Sequence, residues 1–502
     1  MSSTVIGADS QFIYINDDSG VVTKVPIGSG ITNFSQLSGQ ATQAQLATPT
    51  PTWVNVKTFG AKGDAQKVTD ASSSAGNTVT SATANFKQAD VGKICWGIEN
   101  ASGLARVTQG TISSVNSATA CHVTSSNFQN GYSNLTFIWG TDDTLALIAA
   151  CRAAIPTFTS EIANTAQLNP TALNIYCPAG GYIFSRLPFD FVAQGYVYEG
   201  PGIQGDGSGS TFFYPTPSYD FTTTHANQGM LIANSFNLGS NWTGGFTVDG
   251  SNFAYSGATA YYGIQLSGRA VRDITAINFN GLGAAVLSTV TYVENCIAVG
   301  NNIVGWVFSG GSSCTVVGGL FSNCNPYSAK VVNYNNVTVA GTISFHGTTF
   351  DEPGINVIAS QNVSIFGSTI YGGPCLTIDG TSSVFVYGGT IGPFGVPTNG
   401  AGILIASGGL CFCAGVYIYA RGSGFAINNS GTFVDGGGNT IANNTQSANV
   451  FTGGGVFTKR FSNPVATSAN AGNNGDVPSQ VLGYQIGSLA DGTVIKIPYY
   501  AA

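Results

Sequence analysis

The chain has 502 residues, of which only 8% are charged, and its formal net charge is −7. A weakly charged, acidic surface excludes neither solubility nor folding, but it argues against nucleic acid or an anionic membrane as a partner. We therefore expect no nucleic-acid binding and no membrane insertion; the sequence also lacks a long apolar run and the residue order of a signal peptide. With 43% hydrophobic and 11% aromatic residues, the chain can bury a large core.

The first part of the chain predicts a small module on a linker. Residues 12–22 alternate apolar and polar positions around Asp17, Asp18 and Gly20, which predicts a hairpin. The Pro-Thr repeat at residues 47–52 predicts a stiff, extended connection. We expect residues 1–52 to be an attachment module.

Three short motifs follow, with an insertion between the first two. They are FGAKGD at residues 59–64, TDDTLALI at residues 141–148 and IYCPAGGYI at residues 175–183. Residues 65–140 contain alternating segments typical of a small β domain. In the second motif, Thr141 and Asp142 are good N-cap residues of a helix.

The spacing of apolar residues after this cap predicts which face of the helix is buried. Leu145, Ile148, Ala149 and Arg152 follow at helical intervals, so we expect them to form the face that packs on the rest of the fold.

A repeat of about 21 residues then dominates the chain. Glycines at 347, 367 and 388 stand at steps of 20 and 21 residues, and a fainter copy places Gly415 a further 27 residues on. This alignment predicts that His346, Phe366 and Tyr387 share one column.

An earlier pair of segments, residues 271–277 and 293–299, matches at a step of 22 and places Glu294 beside Arg272. We expect Arg272, Asp273 and Glu294 to form a surface ion-pair network. Alternating strands at this period predict coils of a parallel β-helix, stacked about 4.8 Å apart. Residues from about 180 to 460 would form roughly a dozen such coils.

The three motifs resemble the entry segment of the pectate-lyase-like fold, a right-handed, single-stranded parallel β-helix. The end of the chain, with IPYY at residues 497–500, resembles the terminal strands of phage tail fibres and spikes. The chain is thus similar to bacteriophage tailspike and tail-fibre proteins. The resemblance implies an all-β fold with an N-terminal capping helix, a small β insertion domain and a small C-terminal β region.

This resemblance divides the chain into four expected parts. They are an N-terminal virion-attachment module with its linker (1–52), the β-helix entry with the capping helix and the insertion at about 65–140 (53–180), the parallel β-helix (181–460) and a C-terminal β or trimerisation segment (461–502). The resemblance further implies a homotrimer in the virion tail, assembled in the host cytoplasm and joined to other tail or baseplate proteins through residues 1–52.

The function expected from the resemblance is host-receptor binding, with recognition and hydrolysis of a bacterial surface polysaccharide such as capsule or lipopolysaccharide. The alternative is a non-enzymatic tail fibre or adhesin that only binds glycan or builds the appendage. A polysaccharide lyase fits less well than a hydrolase, because the cationic residues are few and scattered. No metal or other cofactor is expected.

Glycosidic hydrolysis needs two carboxyl groups, which are scarce here. Asp249, Asp379 and Asp435 each precede a glycine at the end of an alternating strand, a pattern typical of Asx turns. Asp351 and Glu352 have no such explanation, and two adjacent acids tend to raise one pKa.

We therefore expect Asp351 or Glu352 to be the general acid and Asp379 to be the second acid. Tyr371 stands 20 residues after Asp351 and would lie one coil above it.

Three residues are expected to contact substrate: Tyr371, Trp306 and Arg421. Further candidates for a sugar platform are Trp242, Tyr261, Tyr262 and Tyr417, although stacked aromatic residues in a β-helix more often build its core. The ten cysteines lack metal-binding spacing, so we expect buried free thiols, with Cys411 and Cys413 on one face of a strand.

Overall fold

The structure is a computed structural model. It describes the following residues: 4–8, 12–16, 22–26, 53–99, 106–154, 174–188, 202–220, 229–235, 242–251, 262–268, 270–279, 283–288, 290–299, 304–309, 314–324, 327–332, 337–347, 354–371, 375–392, 401–420, 425–443, 451–459, 481–488 and 494–500. The chain divides into two compact units, Met1–Trp53 and Val54–Ala502.

The first unit contains a three-stranded antiparallel sheet. Its strands are β1 (Thr4–Ala8), β2 (Phe12–Asn16) and β3 (Val22–Pro26). The register pairs Asn16 with Val22, so β2 and β3 form the hairpin that the alternation predicted. The Pro-Thr connection at 47–52 lies outside the described residues.

The second unit begins with β4 (Trp53–Asn55) and a short 3-10 helix (Val56–Phe59). A closed barrel of six antiparallel strands follows, with an interior that is centred on Phe86, Phe137 and Trp139. The strands of the barrel are β5 (Gln66–Ser74), β6 (Thr78–Thr80), β7 (Ile94–Glu99), β8 (Arg106–Ser117), β9 (Ala120–Val123) and β10 (Leu135–Gly140).

Helix α1 (Thr144–Ala154) follows the barrel directly. The Asp142 carboxylate accepts the backbone N–H of Thr144 at 3.0 Å, which closes an Asx turn just before the helix. The buried face consists of Leu147, Ala150, Cys151 and Ala154, whereas Leu145 is 71% exposed. The predicted buried face was therefore wrong: the apolar stripe begins at Leu147, and Leu145 points to solvent.

The first two motifs are tied together by their aspartates. Asp143 is buried and accepts the backbone N–H groups of Lys62 and Gly63 at 2.5 and 2.9 Å. Asp64 accepts the N–H and the hydroxyl of Thr141 at 2.9 and 3.0 Å. Burial raises the pKa of Asp143 to about 6, against the lowering effect of the two N–H donors. The acidic residues of the motifs thus hold the chain entry and the helix start together.

Three parallel sheets form the rest of the unit, and each coil passes through the first, second and third sheet in turn. Five long strands cross the corner between the first and second sheets and belong to both: β16 (Thr243–Asp249), β18 (Ala270–Ile277), β20 (Tyr292–Val299), β22 (Cys314–Cys324) and β24 (Val337–Gly347).

The remaining strands belong to one sheet each. Those of the first sheet are β11 (Asn174–Cys177), β13 (Ile203–Gly205), β26 (Val363–Phe366), β29 (Ser383–Tyr387), β32 (Leu410–Ala414), β35 (Thr432–Asp435) and β38 (Val456–Lys459). Those of the second sheet are β12 (Gly180–Arg186), β14 (Thr211–Asp220), β27 (Thr369–Tyr371), β30 (Thr390–Ile391), β33 (Tyr417–Ala420) and β36 (Thr440–Asn443).

The third sheet contains β15 (Gly229–Ser235), β17 (Tyr262–Gly268), β19 (Gly283–Ser288), β21 (Val304–Ser309), β23 (Tyr327–Val332), β25 (Ile355–Ile358), β28 (Leu376–Ile378), β31 (Ile403–Ile405), β34 (Ile427–Asn429) and β37 (Phe451–Thr452). The architecture is that of a parallel β-helix, as the repeat and the motifs predicted. The first sheet has twelve described strands, in agreement with the expected dozen coils.

A column of residues with positive φ makes the corner between the first and second sheets. On the later coils these are Gly367, Gly388, Gly415 and Gly438, with φ between 62° and 69°. Each amide N–H of the first three donates to a carbonyl of the next coil at 2.9 Å. On earlier coils Asp273 and Asn295 take the same left-handed conformation. Three of the four glycines found by the repeat thus mark a real structural position.

The predicted register is correct at two places and wrong at a third. Phe366 pairs with Tyr387, and Arg272 pairs with Glu294, as expected. His346 pairs with Tyr371 instead of Phe366. The cause is the length of this coil: His346 lies on the second-sheet part of β24 and steps 25 residues to Tyr371 instead of the predicted 20, whereas Phe366 lies on the first-sheet strand β26.

The cysteines agree with the interpretation as core residues. The structure describes nine of them as buried and unbridged. The sulfur atoms of Cys411 and Cys413 lie 3.8 Å apart on the inner face of β32, and burial raises the pKa of Cys413. These thiols are packing groups and not reactive nucleophiles.

The chain ends with an antiparallel hairpin of β39 (Val481–Ser488) and β40 (Val494–Tyr500). Among the described residues, no helix is long and apolar enough to cross a membrane.

The left-handed corner predicts a specific substitution pattern at Gly388. Valine there should lower the free energy of unfolding by about 1–2 kcal/mol, because a β-branched residue is strained at positive φ. Asparagine should cost less, since Asn295 already occupies this corner on another coil. Denaturant unfolding of Gly388→Val and Gly388→Asn measures the difference, with Gly454→Val as a control at an open position. Equal costs for valine and asparagine would contradict the role of the corner.

Candidate functional site

The outer face of the second sheet carries neutral, hydroxyl-bearing residues over successive coils. One column pairs Ser344, Thr369, Thr390, Tyr417 and Thr440 in register. From Thr369 to Thr440 these positions alternate with buried residues such as Ile370, Ile391 and Ile418, so these side chains point away from the core. We call this column, together with Tyr371 and Tyr419, the tyrosine–threonine face.

Tyr417 is the most exposed aromatic residue of this face. Its ring is 39% exposed and stacks on Tyr419 with centroids 5.3 Å apart. Tyr419 in turn lies over Gly392, where a β-carbon would meet its ring at 2.2 Å. The glycine therefore makes room for a ring that spans two coils. A face of rings and hydroxyl groups without charge suits a neutral sugar, which presents C–H surfaces and hydroxyl groups.

The connections from the second to the third sheet leave from the end of this face. They vary in length, from two residues between Cys324 and Tyr327 to twelve between Asp249 and Tyr262. The corner from the first to the second sheet is short and uniform by comparison. Loops of variable length on a rigid scaffold are where binding residues concentrate.

Tyr371 lies at this variable corner. It ends β27, is half-buried, and its carbonyl oxygen stands 2.5 Å from where a β-carbon on Gly354 would be. Gly354 precedes β25, so the start of the third sheet on one coil packs against the end of the second sheet on the next. The predicted contact residue Tyr371 is thus at the edge of the tyrosine–threonine face.

Three predicted site residues, Asp351, Glu352 and Arg421, lie outside the described residues. Along the chain, Asp351 and Glu352 lie between β24 and β25, and Arg421 follows β33.

Trp306 has a different place. It lies on β21 of the third sheet and is fully buried in the core. A ring with no exposed surface cannot stack on a sugar from solvent, so the expectation of a substrate contact at Trp306 is corrected: it is a core residue. Its position in an alternating strand could not distinguish the two roles.

Asp379 lies at the opposite corner, where β28 of the third sheet leads back to the first sheet. Its carboxylate accepts the N–H groups of Thr381 and Ala359 at 3.1 and 2.9 Å and the hydroxyl of Ser382 at 2.5 Å. Burial raises its pKa, but the hydrogen bonds from Ser382, Ala359 and Thr381 outweigh burial and hold the pKa below its usual value. The structure separates Asp379 from Tyr371 and gives it the geometry of an Asx turn.

The other turn acids follow the same pattern. Asp249 accepts the N–H of Ser251 at 2.9 Å, and Asp435 accepts that of Gly437 at 2.9 Å, so both predicted Asx turns are confirmed. Asp249 also forms an ion pair with Lys67 of the barrel at 2.7 Å.

Two further acids stand outside the face. Arg272 pairs with Glu294 at 3.0 Å as expected, but Asp273 instead accepts the N–H and hydroxyl of Ser208 at 3.1 and 2.8 Å. The described part of the chain contains no group of three acidic, histidine or cysteine residues that could hold a metal ion.

Comparisons with solved structures found similar proteins of several kinds. Full-length tailspike protein 2 of an Escherichia coli O157:H7 bacteriophage matches with 13% identity and a TM-score of 0.40. The match covers 96% of this chain and 64% of the tailspike chain. The surface adhesin PfbA of Streptococcus pneumoniae matches with 11% identity and a TM-score of 0.34, over 71% of this chain and 96% of the adhesin.

A mannuronan C-5 epimerase A-module of Azotobacter vinelandii matches with 14% identity and a TM-score of 0.30, over 64% of this chain and 95% of the module. No family model and no curated protein matches the chain. This chain thus spans less than two thirds of the tailspike's length. The fold assignment rests on the strand registers of the chain itself.

The turn role of Asp379 predicts a definite pH dependence. Because its folded-state pKa lies below 3.8, the ionised carboxylate stabilises the fold above about pH 4, and this contribution is lost as pH falls through the folded-state pKa. Asp379→Asn should therefore lower the unfolding midpoint at about pH 7 and have a smaller effect below about pH 4. Thermal unfolding of both proteins across this range measures it; a constant difference at every pH would contradict the turn role.

Proposed function

We propose that this protein is a bacteriophage tail spike or fibre that binds a bacterial surface polysaccharide, either capsule or lipopolysaccharide. The supporting observation is the tyrosine–threonine face: rings and hydroxyl groups in register on successive coils, beside the variable corner. Along the coil axis the hydroxyl groups recur about every 4.8 Å, close to the length of one sugar unit in an extended chain. A long polysaccharide can therefore contact several coils at once.

The virion context of the proposal comes from the entry motifs and the IPYY ending. In this context the protein assembles as a homotrimer in the host cytoplasm and joins other tail or baseplate proteins through residues 1–52. The small sheet of β1 to β3, followed by a long connection, is compatible with an attachment module.

Hydrolysis of the bound polysaccharide is the second part of the proposal. Asp351 and Glu352 stand in the connection that begins after β24, and His346 of β24 pairs with Tyr371. A general acid and a second carboxylate beside the bound chain are what glycosidic hydrolysis requires. Asp379 is not included, because its hydrogen bonds hold it in a turn at another corner. Arg421 remains a proposed substrate contact at the variable corner. The alternative, a fibre that binds without cleaving, uses the same face.

Binding is tested first with polysaccharides extracted from a panel of bacterial strains, using immobilised glycan and purified protein. Tyr417→Ala should weaken binding about tenfold, equivalent to roughly 1.4 kcal/mol. Tyr417→Phe keeps the ring and should lose less. Leu145→Ala, an exposed truncation on α1, is the control and should bind as the original protein does. Unchanged binding by Tyr417→Ala would contradict the assignment of the face.

Hydrolysis is tested by the release of reducing ends from a polysaccharide that the protein binds. The double variant Asp351→Ala/Glu352→Ala should release none while still binding the glycan. Cleavage by the double variant would reject these residues as the catalytic pair. Binding without cleavage by the original protein, on every polysaccharide bound, would favour the non-enzymatic fibre.

A further inference from the structure

The six-stranded barrel packs on the outer face of the second sheet, over its early coils. Its side chains Trp96, Ile98 and Ile138 are buried, but they are not part of the barrel's own interior cluster. They belong to the cluster that fills the coils, which also contains Tyr214 of β14. Phe213 packs against other rings inside the coils, so its neighbour Tyr214 points to the outer face. Tyr214 is only 5% exposed, because the barrel covers it.

Two polar contacts fix the barrel in this position. Lys67 of β5 forms the ion pair with Asp249 at 2.7 Å, and Asp249 at the end of β16 is only 2% exposed. Gln109 of β8 accepts the backbone N–H of Ser218 on β14 at 3.1 Å. Removing the cation from a buried carboxylate is strongly unfavourable, so the ion pair holds the barrel close to the sheet. The barrel therefore covers the second sheet as far as β16.

The outward column of the tyrosine–threonine face continues toward the barrel. Ser344 pairs with Leu320, and the same register runs on through Ile297 and Thr275 to Thr247. Thr247 is 3% exposed, Thr275 and Ile297 are half-buried, and Leu320 is 36% exposed. The column is thus covered beside the barrel and open beyond it, so the barrel forms a step across the sheet.

We propose that the barrel closes one end of the tyrosine–threonine face, and that this face therefore binds the end of a polysaccharide chain. The assignment depends on the proposed function, glycan binding at the same face. A glycan that runs along the coil axis meets the barrel beside β18 and cannot continue in that direction. An internal segment has to extend beyond its site in both directions, and the barrel blocks one of them.

The step also gives a flat face a concave part. Ligand sites are concave, because a ligand in a cleft contacts the protein on more than one side. Thr275 and Ile297 form the floor of the angle, and the side chain of Lys67, 29% exposed, stands at its edge. A terminal sugar unit in this angle contacts the sheet below it and the barrel beside it. The following units contact the sheet alone, so the terminal unit contributes most to affinity.

The open part of the column sets the length of glycan that the face can hold. It has seven steps between adjacent coils, which at about 4.8 Å each give about 34 Å. An extended chain of about seven sugar units fills this distance. The residues of the open column are Thr275, Ile297, Leu320, Ser344, Thr369, Thr390, Tyr417 and Thr440.

The test uses fragments of a polysaccharide that the full-length protein binds, separated by length and longer than about seven units. They compete with the immobilised intact polysaccharide for the protein. Shortening a chain tenfold gives ten times as many ends in the same mass of sugar. If the face binds chain ends, the potency of the competitor per unit mass should rise about tenfold. A face that binds internal segments gives the same potency per unit mass at each of these lengths.

A substitution at the step locates the bound end. Thr275→Arg places a long side chain where the terminal unit would lie, so it should weaken binding of the fragments about tenfold. Thr458→Arg is the matched control, because Thr458 is an exposed strand residue of the first sheet. It should bind as the original protein does. Circular dichroism shows whether both variants fold, and the length series of the original protein is decisive even if Thr275→Arg does not.

The outcomes separate this inference from the proposed function. Equal potency per unit mass at every length, in a protein that binds the polysaccharide, overturns the closed end and retains the glycan face. Unchanged binding by a folded Thr275→Arg also overturns it, because the bound end then lies elsewhere. A protein that binds no polysaccharide rejects both the proposed function and the closed end. A tenfold gain on shortening together with loss by Thr275→Arg supports the closed end.

Discussion

The fold depends on one backbone constraint: on most described coils the chain turns from the first to the second sheet through a residue with positive φ. From Gly367 to Gly438 these residues stack, and their amide groups bond to carbonyls of the next coil. The left-handed conformation turns the chain within one or two residues, so the strands on both sides keep a fixed register. Where an additional residue enters the corner, between β22 and β24, the register shifts by one residue from Gly319 to Ser322 and shifts back at Cys324.

Because the register is fixed, residues at equivalent positions of successive coils align in columns. These columns determine the chemistry of the outer face of each sheet. On the second sheet, Thr369, Thr390 and Tyr417 align as a neutral, hydroxyl-bearing surface. On the first sheet, Phe366 and Tyr387 align as an aromatic one. The same corner separates these two faces. The variable loops stand at a different corner, where length changes do not disturb the register.

The sequence predicted the features that depend on local pattern and missed those that depend on pairing across coils. The repeat located Gly367, Gly388 and Gly415 because positive φ strongly favours glycine. It misplaced His346, since the step from β24 to the next coil is 25 residues at this position and the repeat predicted 20. The hydrogen bonds of Asp143 to Lys62 and Gly63 span distant motifs and were invisible from spacing. The tyrosine–threonine face was recoverable only in part, through Tyr371 and Tyr417, because its threonines are ordinary strand residues.

Hydroxyl-radical footprinting tests the separation of the two faces most directly, since it reports the solvent access of individual aromatic side chains. The account predicts that the reactivity of Phe366 and Tyr387 does not change when a bound polysaccharide is added. Tyr371 and Tyr417 should be reactive in the assembled protein and become protected on addition of that polysaccharide. Protection of Phe366 and Tyr387 by the polysaccharide, with Tyr417 unaffected, would contradict the account.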